Sequence, residues 1–139
     1  MMVNCAIRYC TGCDSVRILA DAISDVCAAP ALTVYHPLKK PVDILFLGSC
    51  YESGIIAPSV KIFISSLDPS LVKSVVNFSV STLMPSTYHR VSALLADRGI
   101  RMRAEEFHCH SPLGILYQGH PDQNDLDAFR SFARKQLQK

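Results

Sequence analysis

The stretch from Val3 to Ile23 constrains the fold more than any other part of the chain. It opens with an apolar run containing β-branched and aromatic residues, which is typical of a buried strand. Six small or polar residues, 10 to 15, follow this run. Apolar residues then recur at the spacing of one helix face, and the stripe comprises Val16, Leu19, Ala20, Ile23 and Cys27. The stretch therefore predicts a strand, a short loop and a helix.

The rest of the chain repeats this alternation. Further strands are expected at 31–35, 42–47, 73–80 and 100–107, of which 42–47 is the most apolar and 100–107 the most polar. Further helices are expected at about 58–67, at 87–98 and after the capping-box residues Asp122 and Asp125. The pattern predicts one α/β domain over 1–139, with an open parallel sheet of five strands and helices on both faces.

The connection at 36–41 departs from this scheme. It has about six residues, most of them polar or proline, whereas a crossover between parallel strands normally needs a dozen or more. We therefore expect the second helix to be short or missing, and the second strand to lie near a sheet edge.

Composition excludes several classes of function. Charged residues are 19% of the chain and the formal net charge is +2, so there is no basic stripe for nucleic acid. No apolar run is long enough to span a membrane, and no leader pattern opens the chain. A cytoplasmic protein is expected, with free thiols at its six cysteines: Cys5, Cys10, Cys13, Cys27, Cys50 and Cys109.

The loop at 10–15 is the first candidate binding site. The first N–H groups of a helix have no internal partner, and the helix dipole is positive at this end, so the loop favours an anion. In open parallel sheets, ligands bind at the carboxyl ends of the strands. The loops at 10–15, 49–54, 81–86 and 108–120 are expected to gather at this edge.

Several segments resemble the flavodoxin family, in particular its short bacterial members. They are the run from Asp43 to Ser49, the turn from Tyr51 to Gly54, the segment 57–60 and the tail from Gly119 through Asp122 to Phe129. The resemblance implies a strand order of 2-1-3-4-5 and bound FMN, with the phosphate in the first loop and the isoalloxazine ring between the second and third. It also implies electron transport or a small flavin oxidoreductase, acting on a redox partner protein or a small-molecule acceptor as a monomer or homodimer.

The family motifs point to twelve candidate cofactor-binding residues in three loops. They are Thr11, Gly12, Cys13, Asp14 and Ser15, then Ser49, Cys50, Tyr51 and Glu52, and finally Thr82, Leu83 and Met84. The first loop lacks the Thr-Gly-Asn-Thr core of the family. Asp14 places a carboxylate where a phosphate would bind, unless it is a helix N-cap that points away. Tyr51 is the candidate for stacking on the ring or, alternatively, a packing tyrosine.

The cysteines offer a different chemistry. Cys10 and Cys13 form a CxxC motif at a helix N-terminus, where a thiol pKa can be lowered. Cys50 can meet this pair, but the first and fifth strands are roughly 14 Å apart at ~4.8 Å per strand, so Cys109 joins only if its loop folds back. No metal site and no catalytic residue are predicted. The alternative function is thus a flavodoxin-like domain that has lost FMN and serves as a binding or CxxC thiol-redox module.

Overall fold

The computed structural model describes residues 3–81, 84–110, 119 and 121–139. The β-strands are β1 (Cys5–Tyr9), β2 (Ala31–Thr33), β3 (Val42–Ser49), β4 (Tyr51–Glu52), β5 (Ile55–Ile56), β6 (Val72–Ser81) and β7 (Phe107–His110). The α-helices are α1 (Asp14–Ala22), α2 (Ser24–Cys27), α3 (Pro58–Ser66), α4 (Tyr88–Ala96) and α5 (Gln123–Leu137).

Five strands form one parallel sheet in the order β2-β1-β3-β6-β7. Counting only these five strands, this is the predicted order 2-1-3-4-5. The centre of the sheet is β3, whose last six residues are buried because helices cover both faces. The predicted α/β fold is confirmed, and β2 lies at an edge as expected.

One helix layer packs on aromatic residues of the sheet. Helix α1 contacts α5, and the ring of Phe129 in α5 lies 4.8 Å from the Phe78 ring and 4.7 Å from the Phe107 ring. Gly48 allows close approach here, because a Cβ at this position would lie only 2.6 Å from the Phe78 ring and 2.7 Å from Val16. Helices α3 and α4 contact each other as a second pair.

The first helix is shorter than its apolar stripe predicted. Helix α1 ends at Ala22, and Ser24–Cys27 forms a separate turn of helix. Two interactions favour the break: Arg130 Nε donates to the Ala22 carbonyl at 2.9 Å, and Ser24 Oγ donates to the Ala29 carbonyl at 2.7 Å. Carbonyls at a helix end need such partners.

The prediction of a strand at 100–107 was wrong in position. Only Met102 pairs with β6, through a single bridge to Val75, and the strand itself begins at Phe107. Arg103 joins β6 to α5 at this bridge, since its backbone N–H donates to the Val75 carbonyl at 2.9 Å and its guanidinium donates to the Gln136 carbonyl at 2.8 Å. The expectation of an edge strand was correct, because β7 ends the sheet.

The short connection between β2 and β3 contains no helix, as predicted. The buried Arg8 side chain holds it, donating to the His36 carbonyl at 2.7 Å and the Pro37 carbonyl at 3.4 Å. A cavity of about 390 Å³ lies beside it, lined by Ala6, Leu32 and Leu38 among others. Across the described residues, no helix combines the length and hydrophobicity needed to cross a membrane.

Candidate functional site at the carboxyl edge of the sheet

The first two predicted loops meet at the carboxyl edge of the sheet. Tyr9, the last residue of β1, is in register with Gly48, and the Cys10 N–H continues the ladder by donating to the Gly48 carbonyl at 3.0 Å. In the next loop, Glu52 Oε1 would lie 3.4 Å from a Cβ built on Gly12. The edge therefore brings 10–15 and 49–54 together, as the sequence predicted.

The first loop turns sharply into α1. Gly12 has a φ of +87°, a left-handed conformation that glycine adopts without strain, and Cys13 is the N-cap with extended backbone. The hydroxyl groups of Thr11 and Ser15 make no hydrogen bond to another described residue, although Ser15 is buried. The loop thus has two unused hydroxyls beside a helix N-terminus.

Asp14 is the first residue of α1 and not its N-cap. Its side chain is 91% exposed and lies 3.7 Å from Arg17 Nε, one turn along the helix. Solvent and this cation both weaken the repulsion between the carboxylate and an anion in the loop. The exposed Asp14 side chain agrees with the alternative that it points away from the loop.

The second loop is a small hairpin in which β4 pairs antiparallel with β5. Ser53 and Gly54 form its two-residue turn, with φ values of +51° and +82°. Tyr51 joins this hairpin to the third loop, because its hydroxyl donates to the Ser86 carbonyl at 3.1 Å. The Arg90 guanidinium lies 5.5 Å from the centre of the Tyr51 ring. Stacking of Tyr51 on a flavin stays a prediction.

The third predicted loop is described only in part. Thr82 and Leu83 lie outside the described residues, whereas the Met84 carbonyl accepts from Ser81 Oγ at 2.6 Å. His108 on β7 lies beside this loop, with Nδ1 at 3.0 Å from Ser79 Oγ and Nε2 at 3.1 Å from Ser81 Oγ. Burial lowers the pKa of His108 from its usual value, against the opposing effect of the nearby Glu106.

Three fully buried polar side chains lie beneath the edge. Ser49 Oγ donates to Asn77 Oδ1 at 3.0 Å and lies 2.6 Å from Thr87 Oγ1, which also accepts from Asn77 Nδ2 at 3.0 Å. These bonds connect β3, β6 and the residue before α4. The Ser49 side chain is therefore already engaged within the fold. Asn77 and Thr87 were not predicted, although a polar Asn inside an apolar strand was a visible signal.

Three thiols converge between the first two loops. Cys10 Sγ lies 2.8 Å from Cys50 Sγ, and both residues are buried. Hydrogen bonding to Cys10, together with burial, raises the pKa of Cys50 to about 12. The pKa of Cys13 is also raised, first by its hydrogen bond with Cys50 and then by burial. The close sulfur partner of Cys10 is therefore Cys50 and not the other cysteine of the CxxC motif.

In the described part of the chain, no group of three or more His, Cys, Asp or Glu side chains is arranged to hold a metal ion.

The chain is similar to known proteins in its structure. No family model and no curated protein sequence matches the chain. A flavodoxin from the domain Archaea is similar in structure, with a TM-score of 0.73 and 12% sequence identity over 98% of this chain and 99% of that one. Megasphaera elsdenii flavodoxin, solved in the two-electron reduced form, matches with a TM-score of 0.61 and 14% identity over 94% of this chain and 98% of its own.

An NADH:FMN oxidoreductase in its apo form is similar too, with a TM-score of 0.59 and 11% identity over 94% of this chain and 89% of that chain. These likenesses, together with the strand order, establish a flavodoxin-like fold.

Proposed function

We propose that the chain is an FMN-binding electron-transfer protein or a small flavin oxidoreductase, with the flavin at the carboxyl edge of the sheet. The observation that carries the proposal is the first loop, where Thr11 and the buried Ser15 have unused hydroxyls beside the N-terminus of α1. A bound phosphate would accept hydrogen bonds from these hydroxyls. The similar fold of flavodoxins supports this assignment.

The residues present fit the phosphate of FMN by their chemistry. Hydroxyls and backbone N–H groups of the loop are donors, and the helix end provides a positive field without any Lys or Arg. Asp14 opposes an anion but is exposed and paired with Arg17. Thr11, Gly12 and Ser15 would therefore hold the phosphate.

The ring would lie between the second and third loops. The Tyr51 hydroxyl already joins these loops, and Cys50 and Glu52 flank Tyr51 in the sequence. Bound FMN would supply one- or two-electron transfer. The chain's own residues would bind its phosphate, orient the ring and limit the access of water.

Titration of the purified protein with FMN tests the proposal, with flavin fluorescence and the visible spectrum as readouts. Thr11→Ala and Ser15→Ala should each weaken binding roughly 10- to 150-fold, since a hydrogen bond to a charged group is worth about 1.5–3 kcal/mol. Asp14→Asn should tighten binding by a modest factor, because it removes a like charge. Ser65→Ala is the matched control, since Ser65 is exposed on α3 and bonds only to its own helix.

Equal affinities for Ser15→Ala and Ser65→Ala would refute the phosphate assignment. If neither the parent protein nor the Asp14→Asn variant binds FMN, the flavin function is wrong and only the fold relationship remains.

A further inference from the structure

The cysteines at the carboxyl edge carry an inference that does not depend on FMN. Cys10, Cys13 and Cys50, here called the thiol cluster, come from the ends of β1 and β3 and the start of α1. We infer that Cys10 and Cys50 form a reversible disulfide that links the first loop to the second, and that Cys13 is the thiol through which the pair is oxidised and reduced.

The sulfur positions support a bond between Cys10 and Cys50. Their Sγ atoms are 2.8 Å apart and point toward each other from neighbouring strand ends. A disulfide bond is about 2.03–2.05 Å long, so a shift of less than about 1 Å closes it.

The backbone is also suitably placed. Tyr9 is paired with Gly48, so residue 10 is level with residue 49, and residue 50 lies one residue further along the neighbouring strand. With a strand spacing of ~4.8 Å and a rise of ~3.3 Å, their Cα atoms are roughly 6 Å apart. Disulfides span about 4.4–6.8 Å between Cα atoms. The chain can therefore bridge these residues without rearranging the sheet.

The three thiols differ in their exposure to solvent. Cys10 is fully buried and Cys50 nearly so, whereas Cys13 is partly exposed at the N-terminus of α1. Interaction with Cys50 also raises the pKa of Cys13, which indicates that the two thiols lie near each other. A reagent in solvent therefore meets Cys13 first, and the oxidation passes inward from it to the buried pair.

The exchange is balanced with a small disulfide as the oxidant. The Cys13 thiolate attacks the small disulfide and releases one small thiol, which leaves a mixed disulfide on Cys13. Cys50 displaces the second small thiol and forms a bond to Cys13, and Cys10 then displaces Cys13 from Cys50. Two protein thiols and one small disulfide thus become one protein disulfide and two small thiols, and Cys13 is regenerated.

The environment makes the pair slow to oxidise at neutral pH. Thiolates are the nucleophiles in this exchange, and the raised pKa values of Cys13 and Cys50 keep both largely protonated. The oxidation rate should therefore rise about tenfold per pH unit between pH 7 and 9, as the Cys13 thiolate fraction rises.

The experiment incubates the full chain with glutathione disulfide at pH 8.5, blocks remaining thiols with N-ethylmaleimide and maps disulfides by mass spectrometry. Trypsin leaves Cys10 and Cys13 in the same peptide, 9–17, so fragmentation between them must identify the linked residue. The expected product joins Cys10 to Cys50, with Cys13 alkylated. Six alkylated cysteines, or a final product that joins Cys13 to either partner, would overturn the inference.

Two variants test whether oxidation of the buried pair passes through Cys13. Cys13→Ser should slow formation of the bond at least tenfold but leave the same product, whereas Cys27→Ser, a buried cysteine outside the thiol cluster, should change neither. An unchanged rate in Cys13→Ser would refute the role of Cys13. If a variant fails to fold, as judged by circular dichroism, disulfide mapping of the parent protein still decides the pairing.

The result is independent of the flavin proposal, because the readout is a covalent bond and FMN is not added. A protein that forms the disulfide but never binds FMN would refute only the proposed function.

Discussion

Replacing Thr87 with valine tests whether the buried hydrogen bonds beneath the candidate site stabilise the fold. Thr87, Asn77 and Ser49 are fully buried, and Thr87 Oγ1 accepts from Asn77 Nδ2 at 3.0 Å. Valine has nearly the same shape but no hydroxyl. The variant therefore leaves a buried amide donor without its acceptor while filling the same space.

The expected loss in the free energy of unfolding is about 1–3 kcal/mol, which is the cost of an unsatisfied buried polar group. This is a substantial part of a total stability of about 5–15 kcal/mol. With a urea m value of roughly 2 kcal/mol/M, the unfolding midpoint should fall by about 0.5–1.5 M. Equilibrium unfolding in urea, followed by circular dichroism, measures this shift.

Two controls separate the hydrogen bond from other effects of the substitution. Thr87→Ser keeps the hydroxyl and loses one methyl group, so it should cost about 0.8 kcal/mol. Thr33→Val makes the same chemical change on the edge strand β2, where the contact of Thr33 Oγ1 with His36 Nδ1 at 3.2 Å is exposed to water, and should stay within about 0.5 kcal/mol of the parent. If Thr87→Val is as stable as Thr33→Val, the buried bonds do not carry the stability assigned to them.

Three further perturbations test the packing and the buried histidine. Gly48→Ala should lower the free energy of unfolding by about 1–3 kcal/mol or more, because the new Cβ would lie 2.6 Å from the Phe78 ring; an unchanged melting temperature would contradict this. Ile44→Asp should give unfolded or insoluble protein, because an unpaired charge buried in β3 costs several kcal/mol; normal solubility and melting would refute it. His108 has a lowered pKa in the fold, so the unfolded chain binds its proton more readily, and stability should fall as pH drops below about 6.5. His108→Gln should flatten this pH dependence in urea unfolding, and an identical slope would exclude His108 as its source.

The elements predicted best from the sequence were those whose own residues specify one type of secondary structure. The apolar run at 42–47, broken only by Asp43, became the central strand β3, and Val60, Phe63 and Ile64 became the buried face of α3. The capping box of Asp122 and Asp125 is present at the start of α5. In each case nearby residues alone provide the signal, either as periodicity or as a cap.

The errors came from distant side chains that bond to the backbone. Arg130 lies 108 residues from the Ala22 carbonyl to which it donates, and this contact favours the end of α1. Arg103 donates to the Gln136 carbonyl, 33 residues away, and so joins the segment before β7 to α5. No local sequence pattern predicts such contacts, so the end of α1 and the start of β7 could not be predicted.

Strand order alone does not limit how close two loop residues can lie. The spacing of the first and fifth strands gave roughly 14 Å between the elements that carry Cys13 and Cys109. In the structure, α1 contacts β2, β1, β3 and β6, so the helix that follows the first loop reaches across the sheet beyond its own strand. The pKa of Cys109 is raised to about 12, mainly by burial, then by Asp125, and also by interaction with Cys13. Candidate loop residues must therefore be grouped by the face on which the following helix packs, and not only by the order of the strands they leave.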